Sequence, residues 1–135
     1  MLSGKTALIA HIGYPTEAFK APLIYNPWFE KHAIDAMVVP MGVKAEDYTL
    51  SLRQIFKFSN VRGALVTMPH KVTTIGLADE VSITAKIAGA ANALLKRADG
   101  TLLADQFDGA GFARGVARKG FKTRGSRILV IGTGG

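Results

Sequence analysis

The 135-residue chain contains no cysteine, so disulfides and thiolate metal sites are excluded, and a reducing compartment is the natural expectation. Histidine is scarce. His11, His32 and His70 are the only three, with no second ligand at metal spacing, so no metal centre is expected. Between Met1 and Gly13 the apolar run is only about eight residues, far short of the roughly 20 that span a bilayer. No small-residue cleavage site follows it, which argues against a signal peptide. A cytoplasmic protein without membrane contact is the expectation. Aromatic residues make up 8% and form no stacking series, and no groove-reading motif is present, so nucleic acid is not an expected partner.

What remains is globular: 48% hydrophobic residues and 20% charged residues bury a core without staples at this length. The net charge of +7 is unevenly spread. Residues 1–108 carry eleven Lys/Arg against ten Asp/Glu, whereas residues 109–135 carry six basic residues and no acid. The excess is a tail property, suited to a solvated helix end where cations meet the C-terminal dipole.

Two periodicities alternate along the chain. Short apolar runs at Thr6–Ile12, Asp35–Pro40 and Gly63–Thr67 predict buried strands. Pro22–Lys31 and Ala45–Phe58 predict helices, the first with a stripe of Leu23, Ile24, Pro27 and Trp28, the second with Tyr48, Leu52, Ile55 and Phe56. Helical stretches follow at about 70–77 and 82–87. A hairpin then joins Ala93–Lys96 to Leu102–Ala104 through a two-residue Asp99-Gly100 turn. Phe112–Lys119 predicts a further helix, and Arg127–Ile131 a buried strand running into Gly132-Thr-Gly-Gly135. This order predicts an α/β fold: a mostly parallel mixed sheet flanked by helices over residues 1–108, then a linker helix and first Rossmann strand over 109–135. Gly132, Gly134 and Gly135 would open a phosphate-binding glycine loop, though the helix that completes such a site is not in the sequence.

Three segments carry chemistry: Gly63-Ala-Leu-Val-Thr-Met-Pro-His-Lys71, Gly89-Ala-Ala-Asn92-Ala-Leu-Leu and Ala104-Asp-Gln-Phe-Asp108-Gly-Ala-Gly111. Their order and spacing, with the glycine-loop strand behind them, resemble the shikimate dehydrogenase family. That family shows Asn-Val-Thr-x-Pro-His-Lys, Gly-Ala-x-Asn-Thr, Asn-Thr-Asp-Gly and a Gly-Ala-Gly-Gly loop. The resemblance implies an NADP- or NAD-dependent oxidoreductase of aromatic amino acid biosynthesis, monomeric or homodimeric, acting on a cyclic hydroxy acid or polyol. It implies that Lys71 and Asp108 are the proton-handling pair and that Thr67, Asn92, Tyr25, Gln106 and Phe19 contact substrate. The chemistry is sensible by itself. Oxidising a ring hydroxyl needs a group that takes its proton, and Lys71 stands at an apparent helix start, where the positive dipole end suits a lysine acting as base. Asp108 is placed to hold Lys71 and the substrate hydroxyl, or to cap the helix that follows. His70 is read as structural.

The first family motif, Gly-x-Pro-x-x-His-Ser-x-Ser-Pro-x-x-His-Asn, is altered here. Gly13, Pro15, Pro22 and Asn26 keep its frame, while the two serines that hold the shikimate carboxylate are Phe19 and Ala21. Each lost hydroxyl donor to a charge is worth about 1.5–3 kcal/mol, together a factor of several hundred or more in affinity. The asparagine before Val-Thr is Leu65, and Asn-Thr before Asp-Gly is Gln106-Phe107. The substrate implied is therefore not shikimate itself, or one bound differently, with Lys20 a candidate replacement cation. The rival expectation is a non-catalytic small-molecule binding module that retains the pair as a relic.

Overall fold

The computed structural model describes residues 2–132. In chain order the elements are β1 (Ala7–Gly13), α1 (Ala21–Lys31), β2 (Ala36–Gly42), α2 (Ala45–Ile55), β3 (Val61–Val66), α3 (Lys71–Ile75), β4 (Glu80–Val81), α4 (Ile83–Ala88), β5 (Ala93–Lys96), β6 (Leu102–Asp105) and α5 (Asp108–Arg118). The strands form one six-stranded sheet in the order β2-β1-β3-β5-β6-β4. The β1–β2 and β1–β3 pairs are parallel, β3–β5 and β5–β6 antiparallel, and β4–β6 parallel. This is the mixed α/β sheet that the alternating periodicities predict.

Period-two alternation gives β1 two working faces. Ala10 and Ile12 join the core with Tyr48, Leu52 and Phe56 from the α2 side, together with Ala64 and Val66 of β3. Ile9 faces the α1 side, beside Ile24 and Trp28. The stripe expected on α2 is confirmed, because Tyr48 and Leu52 are each 1% exposed. The stripe on α1 is not sequestered: no residue of that helix is buried. The helix is instead tied to the sheet by a polar clamp, in which Asn26 Nδ2 donates to the Val38 carbonyl at 3.1 Å and Asn26 Oδ1 accepts from the Val38 amide at 2.8 Å. β2 is an edge strand, and the clamp occupies backbone groups that would otherwise be open to another strand.

Four other expectations change. The hairpin turn is wider than two residues: loop 97–101 is held by Arg97 N–H to the Thr101 carbonyl at 2.9 Å, with Gly100 left-handed at φ 89° and Asp99 Oδ1 accepting from the Thr101 amide. A two-residue strand, β4, pairs with β6 where periodicity is too brief to read. α5 starts at Asp108, four residues before the expected Phe112. The segment Arg127–Ile131 is not a strand; it is irregular and exposed, Ile131 by 90%. A buried strand needs neighbours for its backbone groups and apolar side chains, and among the described residues none pairs with it. No described helix is long and apolar enough to cross a membrane.

Candidate active site

Strand β3 ends at Val66, and the next five residues turn back over the C-terminal ends of the strands. That turn is pinned on both sides. Thr67 N–H donates to the Ile12 carbonyl and Tyr14 N–H to the Met68 carbonyl, while Val66 N–H donates to Asn92 and Ala91 N–H to Lys71. Gly13 permits the approach: a Cβ there would collide with Thr67 Cγ2 and come within 2.9 Å of the Met68 carbonyl oxygen and Phe19 Cζ. His70, 1% exposed, anchors the turn from below. Its Nε2 lies 2.9 Å from the Val43 carbonyl and its ring stacks on Tyr48 at 3.9 Å between centroids. Lys71 follows as the first residue of α3.

From the other side, β6 delivers Asp108 at the start of α5. Lys71 Nζ donates to Asp108 Oδ2 at 2.5 Å, and Asn92 Nδ2 donates to Asp108 Oδ1 at 2.8 Å. Asn92 Oδ1 accepts from the Phe107 amide at 2.9 Å, and Gln106 Oε1 accepts from the Asp108 amide at 3.2 Å. Both carboxylate oxygens are thus committed, and the carboxylate does not cap its helix. α3 is five residues long, so the nearby carboxylate, and not the helix dipole, is the dominant electrostatic neighbour of Lys71. The two side chains are 23% and 53% exposed. A pair that open to water contributes only about 0–1 kcal/mol to stability. Its bracing by Asn92 and Gln106 therefore fixes the geometry of the pair more than it stabilises the fold.

The pair opens into a cleft of about 420 Å³ lined by Thr67, Met68, Lys71, Ala88, Ala90, Gln106 and Asp108. Of the residues that the sequence nominates, the structure brings together Thr67, Lys71, Gln106 and Asp108, with Asn92 bonded behind them. Phe19 adjoins through Gly13 and Thr67. Tyr25 does not: it lines a separate apolar cavity of about 360 Å³ with Ile9, Ile24, Trp28, Phe29, Val38 and Leu65. A larger hollow of about 730 Å³ lies along α1 around Pro27 and Ile34, away from the Lys71–Asp108 pair.

One residue next to Phe19 is not singled out by the sequence reading. His11, on β1, is 8% exposed and stacks on Phe19 with ring centroids 4.1 Å apart. Its Nδ1 is the one buried side-chain nitrogen or oxygen without a partner among the described residues. Such an atom costs about 1–3 kcal/mol. Burial pushes the imidazole below its usual 6.5, so the folded state resists protonation that the unfolded chain accepts. The stability this gives is fully present above pH 6.5 and is lost as pH falls through the lowered value. We expect His11→Leu to raise the melting temperature and to reduce the acid sensitivity below pH 6.5. A lower melting temperature across that range would contradict the unpaired state of Nδ1.

The family model described as the shikimate dehydrogenase substrate binding domain matches residues 11–94. The chain belongs to this family. It is similar to NADP+-dependent shikimate dehydrogenases of Acidiphilium cryptum, 33% identical over 100% of this chain and 48% of that protein, and of Geobacter metallireducens, 36% identical over 99% and 46%. The structure resembles that of the shikimate 5-dehydrogenase of Listeria monocytogenes in complex with shikimate and NAD. There the TM-score is 0.83 at 27% identity, covering 90% of this chain and 41% of that one. The chain spans about half the length of the curated relatives it matches.

The matched span of the shikimate dehydrogenase family includes Phe19, Tyr25, Thr67, Lys71 and Asn92; Gln106 and Asp108 lie beyond it. Of the nominated cofactor-binding residues, Gly132 has the left-handed φ of 80° that a tight glycine turn uses. Gly134 and Gly135 lie outside the described residues. With residues 127–131 outside the sheet, the described part of the chain does not form a nicotinamide site.

Proposed function

We propose that this chain is the substrate-handling half of a cytoplasmic NADP- or NAD-dependent oxidoreductase that interconverts a cyclic polyol or hydroxy acid and its ketone. Residues 1–108 form the substrate domain in this reading, and 109–135 lead into a nicotinamide-binding half. The observation that carries it is the Lys71–Asp108 pair, braced by Asn92 and facing the cleft beside Thr67 and Gln106. The resemblance to the dehydrogenases of Acidiphilium, Geobacter and Listeria supports it.

Hydride transfer is the chemistry that a bound nicotinamide supplies; the chain's own part is the proton. In the oxidative direction the substrate hydroxyl sits within hydrogen-bonding reach of Lys71 Nζ, which takes its proton. In the reverse direction the ammonium donates to the carbonyl oxygen. Asp108 fixes the direction of Nζ and stabilises the charge left there, and Asn92 holds Asp108 in place. Thr67 and Gln106 supply hydroxyl and amide groups for the remaining ring substituents.

The test uses a protein that carries both halves. Nicotinamide absorbance is followed with shikimate, quinate and uncharged cyclic polyols, each with NADP+ and NAD+. Turnover of at least one is the expected result. Binding of polyol and nicotinamide with no turnover of any would instead identify a non-catalytic binding module.

A further inference from the structure

We infer that the site takes an uncharged substrate, a neutral cyclic polyol or its ketone, and that the His11 imidazole reads one of its hydroxyls. This rests on the oxidoreductase reading for where the substrate sits, and it names the substrate class.

The first ground is charge. The cation of the cleft, Lys71, is held by the Asp108 carboxylate at 2.5 Å, and the other lining residues, Thr67, Met68, Ala88, Ala90 and Gln106, are uncharged. A substrate carboxylate entering there meets no uncommitted cation and lies near a like charge, and the two serines that hold such a group in the family stand here as Phe19 and Ala21. An ion taken out of water without a partner is strongly disfavoured, whereas a hydroxyl is satisfied by neutral groups.

The second ground is the wall beyond Thr67. Phe19 Cζ and Thr67 Cγ2 crowd the same point above Gly13, so the ring of Phe19 extends the cleft wall on that side. His11 stacks on this ring, with centroids 4.1 Å apart. Both groups are neutral at pH 7, His11 because burial holds its imidazole below the usual value.

The third ground is the orphaned nitrogen. Buried polar atoms are paired in the great majority of cases. Thr6, His70 and Thr74, the other buried polar residues, all have partners, whereas His11 Nδ1 has none. Phe19, which stacks on His11, is a half-buried residue of the loop 14–20 and meets Thr67 of the cleft at Gly13, so displacement of that ring would open a path from the cleft toward Nδ1. A substrate hydroxyl reaching past Thr67 would then complete the missing hydrogen bond.

Shikimate and its methyl ester differ in the charge at issue and in one methyl group, and calorimetric titration of the full-length protein with each compares them. The ester is expected to bind about tenfold tighter or better. His11→Leu should weaken the ester by roughly three- to tenfold. His11→Gln, which keeps a hydrogen-bonding group, should retain most of the affinity. A melting temperature of His11→Leu no lower than that of the parent separates recognition from a folding role. Binding of the acid as tightly as the ester overturns the inference, and loss of that binding in Lys20→Ala would identify the cation responsible. Ester affinity unchanged in His11→Leu, or no binding of either compound, overturns it too. Preference for the ester with no turnover and no effect of Lys71→Ala leaves the inference standing and defeats the oxidoreductase reading.

Discussion

Lys71→Ala is expected to lower kcat by about 10²–10⁴-fold in a protein that carries both halves, with little change in substrate affinity. The ammonium and its neutral form act on a proton that moves only during reaction, so the loss falls on the transition state. Stability should be nearly untouched, because a pair exposed by 23% and 53% contributes only about 0–1 kcal/mol. Asp108→Asn should also slow turnover, since it removes the charge beside Nζ while leaving an oxygen for Asn92. The double variant should be little worse than Lys71→Ala, because the two residues act as one unit. Steady-state kinetics with a calorimetric binding check reads all three. A kcat for Lys71→Ala within a factor of about two of the parent would remove the lysine from the proton-handling role.

Tyr48→Ala should cost about 3–5 kcal/mol, a large part of the roughly 5–15 kcal/mol that holds a domain folded. Tyr48 is 1% exposed, packs in the core beneath β1 and β3, and stacks on His70. Thr74 gives its hydroxyl proton to the His70 carbonyl at 2.8 Å, so it is Tyr48 that donates to Thr74 Oγ1 at 2.6 Å. The tyrosine thus supports the turn from which Lys71 projects, and the variant should lose activity at temperatures where it remains largely folded. Tyr48→Phe keeps the ring and should cost only about 1–2 kcal/mol. Burial pushes the Tyr48 hydroxyl up to about 12 from its usual 10.0. Its contribution is therefore complete below pH 10 and is lost as pH rises toward 12, a component that Tyr48→Phe should abolish. Urea titrations of parent and variants measure these differences. A Tyr48→Ala loss below about 1 kcal/mol would mean that the core does not depend on this ring.

Much of the candidate site was legible in the sequence through three motifs whose residues sit at fixed distances from element ends. The run Val66-Thr-Met-Pro-His-Lys71 places Lys71 at a strand-to-helix turn, and Asp108 stands just past a hairpin that returns to the same sheet end. Short-range pattern carries such information. It does not carry which face of α1 meets the sheet, so Tyr25, nominated for the cleft, stands in another cavity. Nor does it carry the absence of a partner. His11 looks like any histidine in an apolar strand until every neighbour of its Nδ1 is placed.

The sequence by itself determined the alternation of strands and helices and the buried stripe of Tyr48 and Leu52, and its motifs nominated Lys71 and Asp108. These follow from periods of two and 3.6 residues and from motif spacing, which are local quantities. The tertiary structure alone decided that Asn92 and Gln106 brace Asp108, that Asn26 clamps an edge strand, and that Phe19 shields an unpaired imidazole. It also decided that Arg127–Ile131, a strand by composition, stays outside the sheet. Each of these depends on contacts between residues far apart in the chain, where a backbone group or a polar atom either finds a partner or does not.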